Sequence, residues 1–278
     1  MTAQADAAAI DDALKEAAGL LHGKRRVVVF TGAGVSKESG IDTFRDIGGL
    51  WEMFPPDEFA TVSGLAQTAM KDPKRLAQFL KEVLHPIAHA SPNAAHDAIS
   101  KLEDHFDVDV ITQNVDHLHQ DAGSSRVHEV HGSLFRVVDP GGQPLRVLRR
   151  EQMKKMAADL NRLSSSRFFT LPRVLRAVQP LLGLGASVMH RPNVVLFGEG
   201  LNEPDWSKAQ KAAERADVML MVGTSGTVWP AADLPLVTAE AGGKIIGVGP
   251  EEGDADLWLH GNAATVVPAL LRQLKAEA

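Results

Sequence analysis

Short runs of Val, Ile and Leu recur along the chain without polar alternation: VVVF at 27–30, VDVIT at 108–112, VVLF at 194–197, VMLMV at 218–222 and KIIGV at 244–248. Strands that alternate apolar and polar residues have one wet face, whereas continuous runs of four or five are strands covered on both faces. Helical patterns fall between them, at Pro73–Val83, Asn93–Glu103, Ser207–Ala216 and near Pro268–Lys275. A further helix precedes the first run, where Ile10, Leu14, Ala17, Ala18 and Leu21 share one face. Alternation of buried strand and helix predicts an α/β fold, a doubly wound parallel sheet of Rossmann-like type.

The rhythm breaks between 139 and 190. This segment opens with DPGGQP, carries the basic stretch REQMKKMAADLNRL, and closes with LLGLGAS. It is read as a small inserted module, with residues 1–138 and 191–278 forming the large nucleotide-binding domain. With 278 residues, 44% of them hydrophobic, the chain is long enough to bury a large core.

Charge and cysteine content remove whole classes of function. The net charge is −6 and the basic residues are scattered, which speaks against nucleic acid as a partner. The cluster Arg146, Arg149, Arg150, Lys154 and Lys155 reads as a solvated helix face. The absence of cysteine excludes disulfides, thiolate metal sites and a thiol nucleophile. His85 and His89 have helical i, i+4 spacing but no evident third ligand, so no metal is expected. Neither a signal peptide nor an apolar run of roughly 18 residues is visible, so a cytoplasmic protein without a membrane partner is the expectation.

The stretch GAGVSKESGIDTFRDIGGLWE (32–52) follows the first buried run. Gly32 and Gly34 let a backbone turn sharply and approach a ligand, and Ser36 can cap a following helix whose N–H groups face an anion. The same pattern also occurs in ordinary tight turns. Lys37 stands where the third glycine of GxGxxG belongs, which disfavours a dehydrogenase site. TQNVDHLHQDAG (112–123), VHEVHG (127–132), RPNVVLFGE (191–199) and VGTSGTVWPAADLP (222–235) lie at or beyond ends of expected strands, where open parallel sheets bind ligands.

In this order the five motifs resemble those of the sirtuins, NAD-dependent protein deacylases, over about Val27 to Leu271. The resemblance implies NAD as cofactor and an acyl-lysine protein or peptide as substrate. It assigns cofactor phosphates to Gly32, Ala33, Gly34 and Ser36, and a mobile loop over the nicotinamide to Phe44 and Arg45. Gln113, Asn114 and Asp116 would line the nicotinamide and ribose pocket, and Gly223, Thr224, Ser225 and Gly249 the phosphate and adenosine side. Val195, Phe197, Gly198 and Glu199 would pair with substrate. His131 would be the general base, with Asn114 orienting ribose or water; His117 and His119 are read as structural, and Trp51 as a packing anchor.

Three departures from the family pattern stand out. Asp139, Gly142 and Gly185 occupy places where zinc-binding cysteines usually stand, so Met153, Met156, Leu160, Leu163, Phe168, Phe169, Leu181 and Leu182 must hold the module instead. Leu80 and Val83 stand where relatives that remove acidic acyl groups carry a tyrosine and an arginine, which implies neutral acyl groups. Gly249 replaces an asparagine expected at the adenosine ribose. Transfer of ADP-ribose to protein, NAD hydrolysis and NAD sensing remain alternatives, though sensing needs no base.

Overall fold

The computed structural model describes residues 2–42, 50–164, 170–182 and 190–277. Its strands are β1 (Arg26–Thr31), β2 (Asp107–Thr112), β3 (Val127–Glu129), β4 (Gly132–Val138), β5 (Pro144–Val147), β6 (Arg191–Val194), β7 (Val218–Val222), β8 (Lys244–Gly249) and β9 (Leu257–His260). Six of them form one parallel sheet in the order β3-β2-β1-β7-β8-β9. Counted within that sheet, the order is 3-2-1-4-5-6, the Rossmann arrangement. Its topological switch point lies between β1 and β7, which run in register from Val27 opposite Val218 to Thr31 opposite Val222.

Strand period two explains the two covered faces. Val27 and Val29 point to one side, into a core with Leu14, Leu21, Ile99, Val110, Leu220 and Leu270 from the helices Thr2–Leu21, Ala94–Lys101 and Ala263–Glu277. Val28 and Phe30 point to the other, against Ala209, Ala213 and Leu234 of the helices Asp205–Arg215 and Leu234–Glu240. Burial of each such Val, Leu or Phe contributes about 1.5–3 kcal/mol, which makes the central strands the most tightly specified part of the chain.

The run at 194–197 departs from expectation. The strand there is β6, Arg191–Val194, and it pairs antiparallel with β4 in a second sheet of order β5-β4-β6. None of Arg191 to Phe197 is fully buried, and Phe197 is 57% exposed, so the apolar run marks a half-open edge and not a strand covered on both faces. Gly132–Val138 and Arg191–Val194, assigned from sequence to the large unit, thus belong to this second sheet.

The second sheet packs with the helices Pro73–His89, Arg150–Ser164 and Leu171–Ala177 around Leu84, Ile87, Phe135, Val137, Met153, Met156, Leu160 and Leu181. Leu163 and Leu182 pack at its margin, while Phe168 and Phe169 lie outside the described residues. Asp72 starts the helix Pro73–His89 by accepting from Arg75 N at 3.0 Å, with Pro73 at its first position, where no N–H is required. This helix runs through Pro86 to His89, about one and two-thirds turns past the sequence estimate at Val83. Among the described residues no group of His, Asp or Glu is placed to hold a metal ion, and no helix is long and apolar enough to cross a membrane.

Beneath the β1 and β2 ends, His96 and His119 lie with ring centroids 4.8 Å apart, both buried. His119 Nε2 is 3.0 Å from Thr31 Oγ1, which donates to Thr112 Oγ1 at 2.8 Å. Burial lowers the His96 pKa to about 4, against a small opposing effect of Asp97, and holds His119 well below its ordinary value. Unfolded histidine gains a proton near pH 6.5, whereas folded His96 does so only near 4. Between these values the unfolded chain binds more protons, so stability that is full above pH 6.5 falls as pH drops towards 4, by about 3 kcal/mol from His96 alone. Urea titrations at several pH values should show a shallower slope over this window in His96→Gln than in the unaltered protein; identical slopes would exclude a buried neutral His96.

Candidate active site

Loops leaving β1, β2 and β7 converge at the switch point. After β1 the chain enters a 3-10 helix, Ala33–Ser39, with Gly32 extended at its start. The glycines there answer to a neighbouring loop. A Cβ on Gly34 would come 2.8 Å from the Gly223 carbonyl oxygen, and one on Gly223, at φ +59°, would come 2.4 Å from Val35 N. Gly32 N–H donates to Val222 O at 3.2 Å and Gly34 N–H to Gly223 O at 2.9 Å, so the N–H groups of two residues expected to contact the cofactor phosphates are taken up within the protein.

Ser36 does not cap a helix. It is buried inside the 3-10 turn, where its Oγ donates to Asp116 Oδ2 at 2.7 Å and accepts from Asn114 Nδ2 at 3.1 Å. Asn114 Nδ2 also reaches Gly32 O at 3.1 Å, and Asp116 Oδ1 accepts from Leu118 N at 3.0 Å. Burial raises the Asp116 pKa, opposed by the Leu118 and Ser36 hydrogen bonds. Gln113 Nε2 donates to Thr224 Oγ1 at 2.9 Å, tying the β2 loop to the β7 loop. Asn93 adds a clamp from behind: its Oδ1 accepts from Ala95 N at the start of Ala94–Lys101, and its Nδ2 donates to Val35 O at 2.8 Å. Ser225 and Thr227 are exposed at the loop tip, their hydroxyls 2.8 Å apart.

His131 stands where the chain passes from β3 of the parallel sheet to β4 of the second. Its Nδ1 lies 3.1 Å from Gln113 O; a carbonyl only accepts, so Nδ1 carries the proton and Nε2 the lone pair. Burial lowers its pKa, partly offset by that hydrogen bond, which keeps the ring neutral near neutral pH. Gly132 takes φ +79°, and a Cβ there would lie 1.8 Å from Asn193 O, which is how closely β6 approaches the crossing.

Of the residues expected to meet substrate, Val195 N–H donates to His131 O at 3.0 Å and Phe197 N–H to Ala60 O at 2.8 Å. Gly198 has φ +89°, and Glu199 folds back, accepting from Leu196 N at 3.0 Å and from Arg191 at 2.6 Å. Leu80 and Val83 are half-buried between the Met153 cluster and a second one of Phe54, Phe59 and Phe79. Trp51 packs on that second cluster, its ring centroid 6.1 Å from that of Phe197. Gly249 ends β8, its carbonyl accepting from Trp258 Nε1 at 3.1 Å, and the Trp258 ring crosses the face of β8 where Gly247 and Gly249 have no side chains. Phe44 and Arg45 lie outside the described residues.

Sequence reasoning missed Arg150, Glu129, Arg136 and Asp205. Arg150 donates to Asp116 O at 3.2 Å and to Asp121 and Ile87 O, and stacks 4.8 Å over Phe135. It was grouped with solvated bases, although it opens its helix and faces inward. Glu129 was in plain view, an acid two residues before His131 at the end of a buried strand.

A Rossmann-type sheet whose β1, β2 and β7 loops are bonded together beside a neutral histidine defines a nucleotide-dependent enzyme class, and comparison with known proteins names it. The Sir2 family matches at residues 32–230. An NAD-dependent protein deacylase of Thermococcus kodakarensis is 41% identical over 267 residues, covering 94% of this chain and 96% of the relative. A solved Sir2 homolog–NAD complex is 33% identical with TM-score 0.73, covering 94% of each chain. A Sir2 protein bound to a myristoylated histone peptide is 30% identical with TM-score 0.69, covering 96% of this chain and 98% of that one. The chain belongs to the Sir2 family.

The loop contact generates a sharp expectation. Gly223→Ala combines a strained φ of +59° with a Cβ 2.4 Å from backbone, so it should cost about 3 kcal/mol or more of stability and weaken NAD binding together. Thermal unfolding with and without NAD reads both, and an unaltered midpoint would show that the two loops can part freely.

Proposed function

We propose that the protein is an NAD-dependent protein-lysine deacylase that releases nicotinamide and transfers the acyl group to ADP-ribose. The observation that carries this reading is the neutral, Nδ1-anchored His131 beside β6, an edge strand whose outer side pairs with no strand among the described residues. A peptide can add to such an edge through main-chain hydrogen bonds, which accept varied sequences. Neither NAD hydrolysis nor transfer of ADP-ribose to a side chain requires that edge.

The donor set fits a dinucleotide. Exposed Ser225 and Thr227 hydroxyls suit phosphate oxygens at one end, and the Gln113 and Asn114 amides with the Asp116 carboxyl suit the nicotinamide riboside at the other, all beyond the carboxyl ends of the two strands that flank β1. When bound, NAD supplies an activated ribose carbon to which the acyl oxygen can add. In this reading His131 Nε2 accepts the proton of a ribose hydroxyl while Gln113 O holds the ring through Nδ1. Ser36 and Leu118 fix the Asp116 carboxyl, and Ser36 with Gly32 O fixes the Asn114 amide. The small unit is read as zinc-free, because it has no thiolate and is closed by side chains such as Met153, Met156 and Leu160.

His131→Ala should lower peptide turnover by roughly 100-fold with NAD binding retained. In the unaltered protein the acid limb assigned to His131 should fall below pH 6.5, because its pKa is lowered and the base is lost only when Nε2 is protonated. Near-normal turnover in the variant removes His131 from the reaction.

Acyl choice follows from Leu80 and Val83, half-buried among Phe54, Phe59 and Phe79. A succinyl carboxylate against these side chains lacks a partner, at a cost of about 2–3 kcal/mol, or roughly 30- to 150-fold. Lys81 between them is engaged with Glu82 at 3.4 Å. Specificity constants for acetyl and succinyl forms of one peptide should differ by that factor in favour of acetyl, and a ratio at or below one would mean that a cation reaches the pocket.

A further inference from the structure

The chain passes between the two sheets twice, and one buried polar network joins both passages. Glu129 ends β3 and Arg136 lies on β4, on either side of the crossing that carries His131. Arg136 Nη2 donates to Glu129 Oε2 at 2.8 Å and Nη1 to Asp205 Oδ2 at 3.2 Å. Asp205 begins the helix Asp205–Arg215, just after the chain returns from β6. Asn202, in that return, donates through Nδ2 to Glu129 O at 3.0 Å and to Asp205 Oδ2 at 2.8 Å, and its N–H reaches Val130 O at 3.0 Å. Its Oδ1 accepts from Asn193 Nδ2 on β6 at 2.9 Å. Glu129, Asn202 and Asp205 are all buried.

We infer that Arg136 is a positioning residue for the reaction: by holding the Glu129 and Asp205 carboxylates together it sets where His131 leaves the parallel sheet and meets the β6 edge. This rests on the reading of His131 as base. Only Val130 separates Glu129 from His131, and the His131 carbonyl already receives Val195 N–H at 3.0 Å. A displaced crossing would therefore move the Nε2 lone pair and the peptide edge together. Among the described residues the other group that could carry positive charge beside the pair is His117, whose Nδ1 is 3.6 Å from Glu129 Oε1, longer than a hydrogen bond, and whose ring is stacked on Phe135. Without the guanidinium, two buried carboxylates face one space and repel. Gly132 at φ +79° offers no side chain to resist the movement. A lysine would keep the charge, but a single ammonium cannot reproduce two forked contacts.

Arg136→Met and Arg136→Lys in the full chain test this with three readouts. These are deacylated product from an acetyl peptide, exchange of labelled nicotinamide into NAD with that peptide present, and hydrogen exchange at the Val195 amide. Exchange precedes proton transfer to His131, so a residue acting through His131 should affect product more than exchange. In Arg136→Met we expect product to fall roughly 30-fold, exchange less than about 3-fold, and Val195 to lose protection; Arg136→Lys should recover product to within about 5-fold of wild type. Should Arg136→Met fail to fold, Asp205→Asn, which leaves the Glu129 contact in place, should show the same inequality on a smaller scale. Equal losses of product and exchange, or an unchanged ratio in the variant that folds, overturn the inference alone. A wild-type chain that yields no product from any acyl peptide brings down the functional reading and the inference with it.

Discussion

Everything at the candidate site depends on one backbone-to-backbone approach, that of Gly34 to Gly223 at the point where the sheet order reverses. Two strand ends about 5 Å apart leave no room for side chains between their loops once each loop turns towards the other. Gly34 N–H bonded to Gly223 O at 2.9 Å closes that gap. With it closed, Gln113 reaches Thr224, and Asn114 reaches Gly32 O and Ser36. The glycines thus allow the β1 and β7 loops to touch, a different use from the close approach to phosphate for which such glycines are usually read.

The sheet was legible because its strands satisfy a single rule. VVVF, VMLMV and KIIGV are buried on both faces, and each matches β1, β7 or β8 within two residues at either end. VVLF obeys the same composition rule but not the same environment: its residues are half-exposed at an edge, and periodicity cannot tell a covered strand from an edge flanked by a neighbouring loop. β3 and β9, with three and four residues, carry too little pattern to be seen. Among the site residues implied by the family resemblance, Asn114 and Asp116 meet through Ser36, and His131 is tied to the same β2 loop through Gln113 O. Ser36 was read through local helix chemistry, yet its partner Asp116 lies 80 residues away, and no local rule anticipates a buried contact at that distance.

The same limit explains why the polar groups that join the two sheets escaped notice. Arg136 and Asp205 are unremarkable charges in sequence, and an isolated surface pair of such residues contributes little. Their importance comes from burial, since a carboxylate deprived of water must find a partner or be neutralised. A polar joint of this kind adds directional constraint at a crossing where the glycine at 132 supplies none.

A joint between sheets also needs a second point of attachment, and Arg150 supplies it. From the start of the helix Arg150–Ser164 its guanidinium reaches Asp116 O in the β2 loop, Asp121 beyond it, and Ile87 O, while its plane covers Phe135 on β4. Four elements therefore meet on one planar cation, which a lysine could not serve. Asp116 is then held twice, through its carboxyl by Ser36 and Leu118 and through its carbonyl by Arg150. A chain without cysteine can in this way lock its smaller unit to the loop after β2, with apolar burial around Met153 and Leu160 providing cohesion and Arg150 providing register.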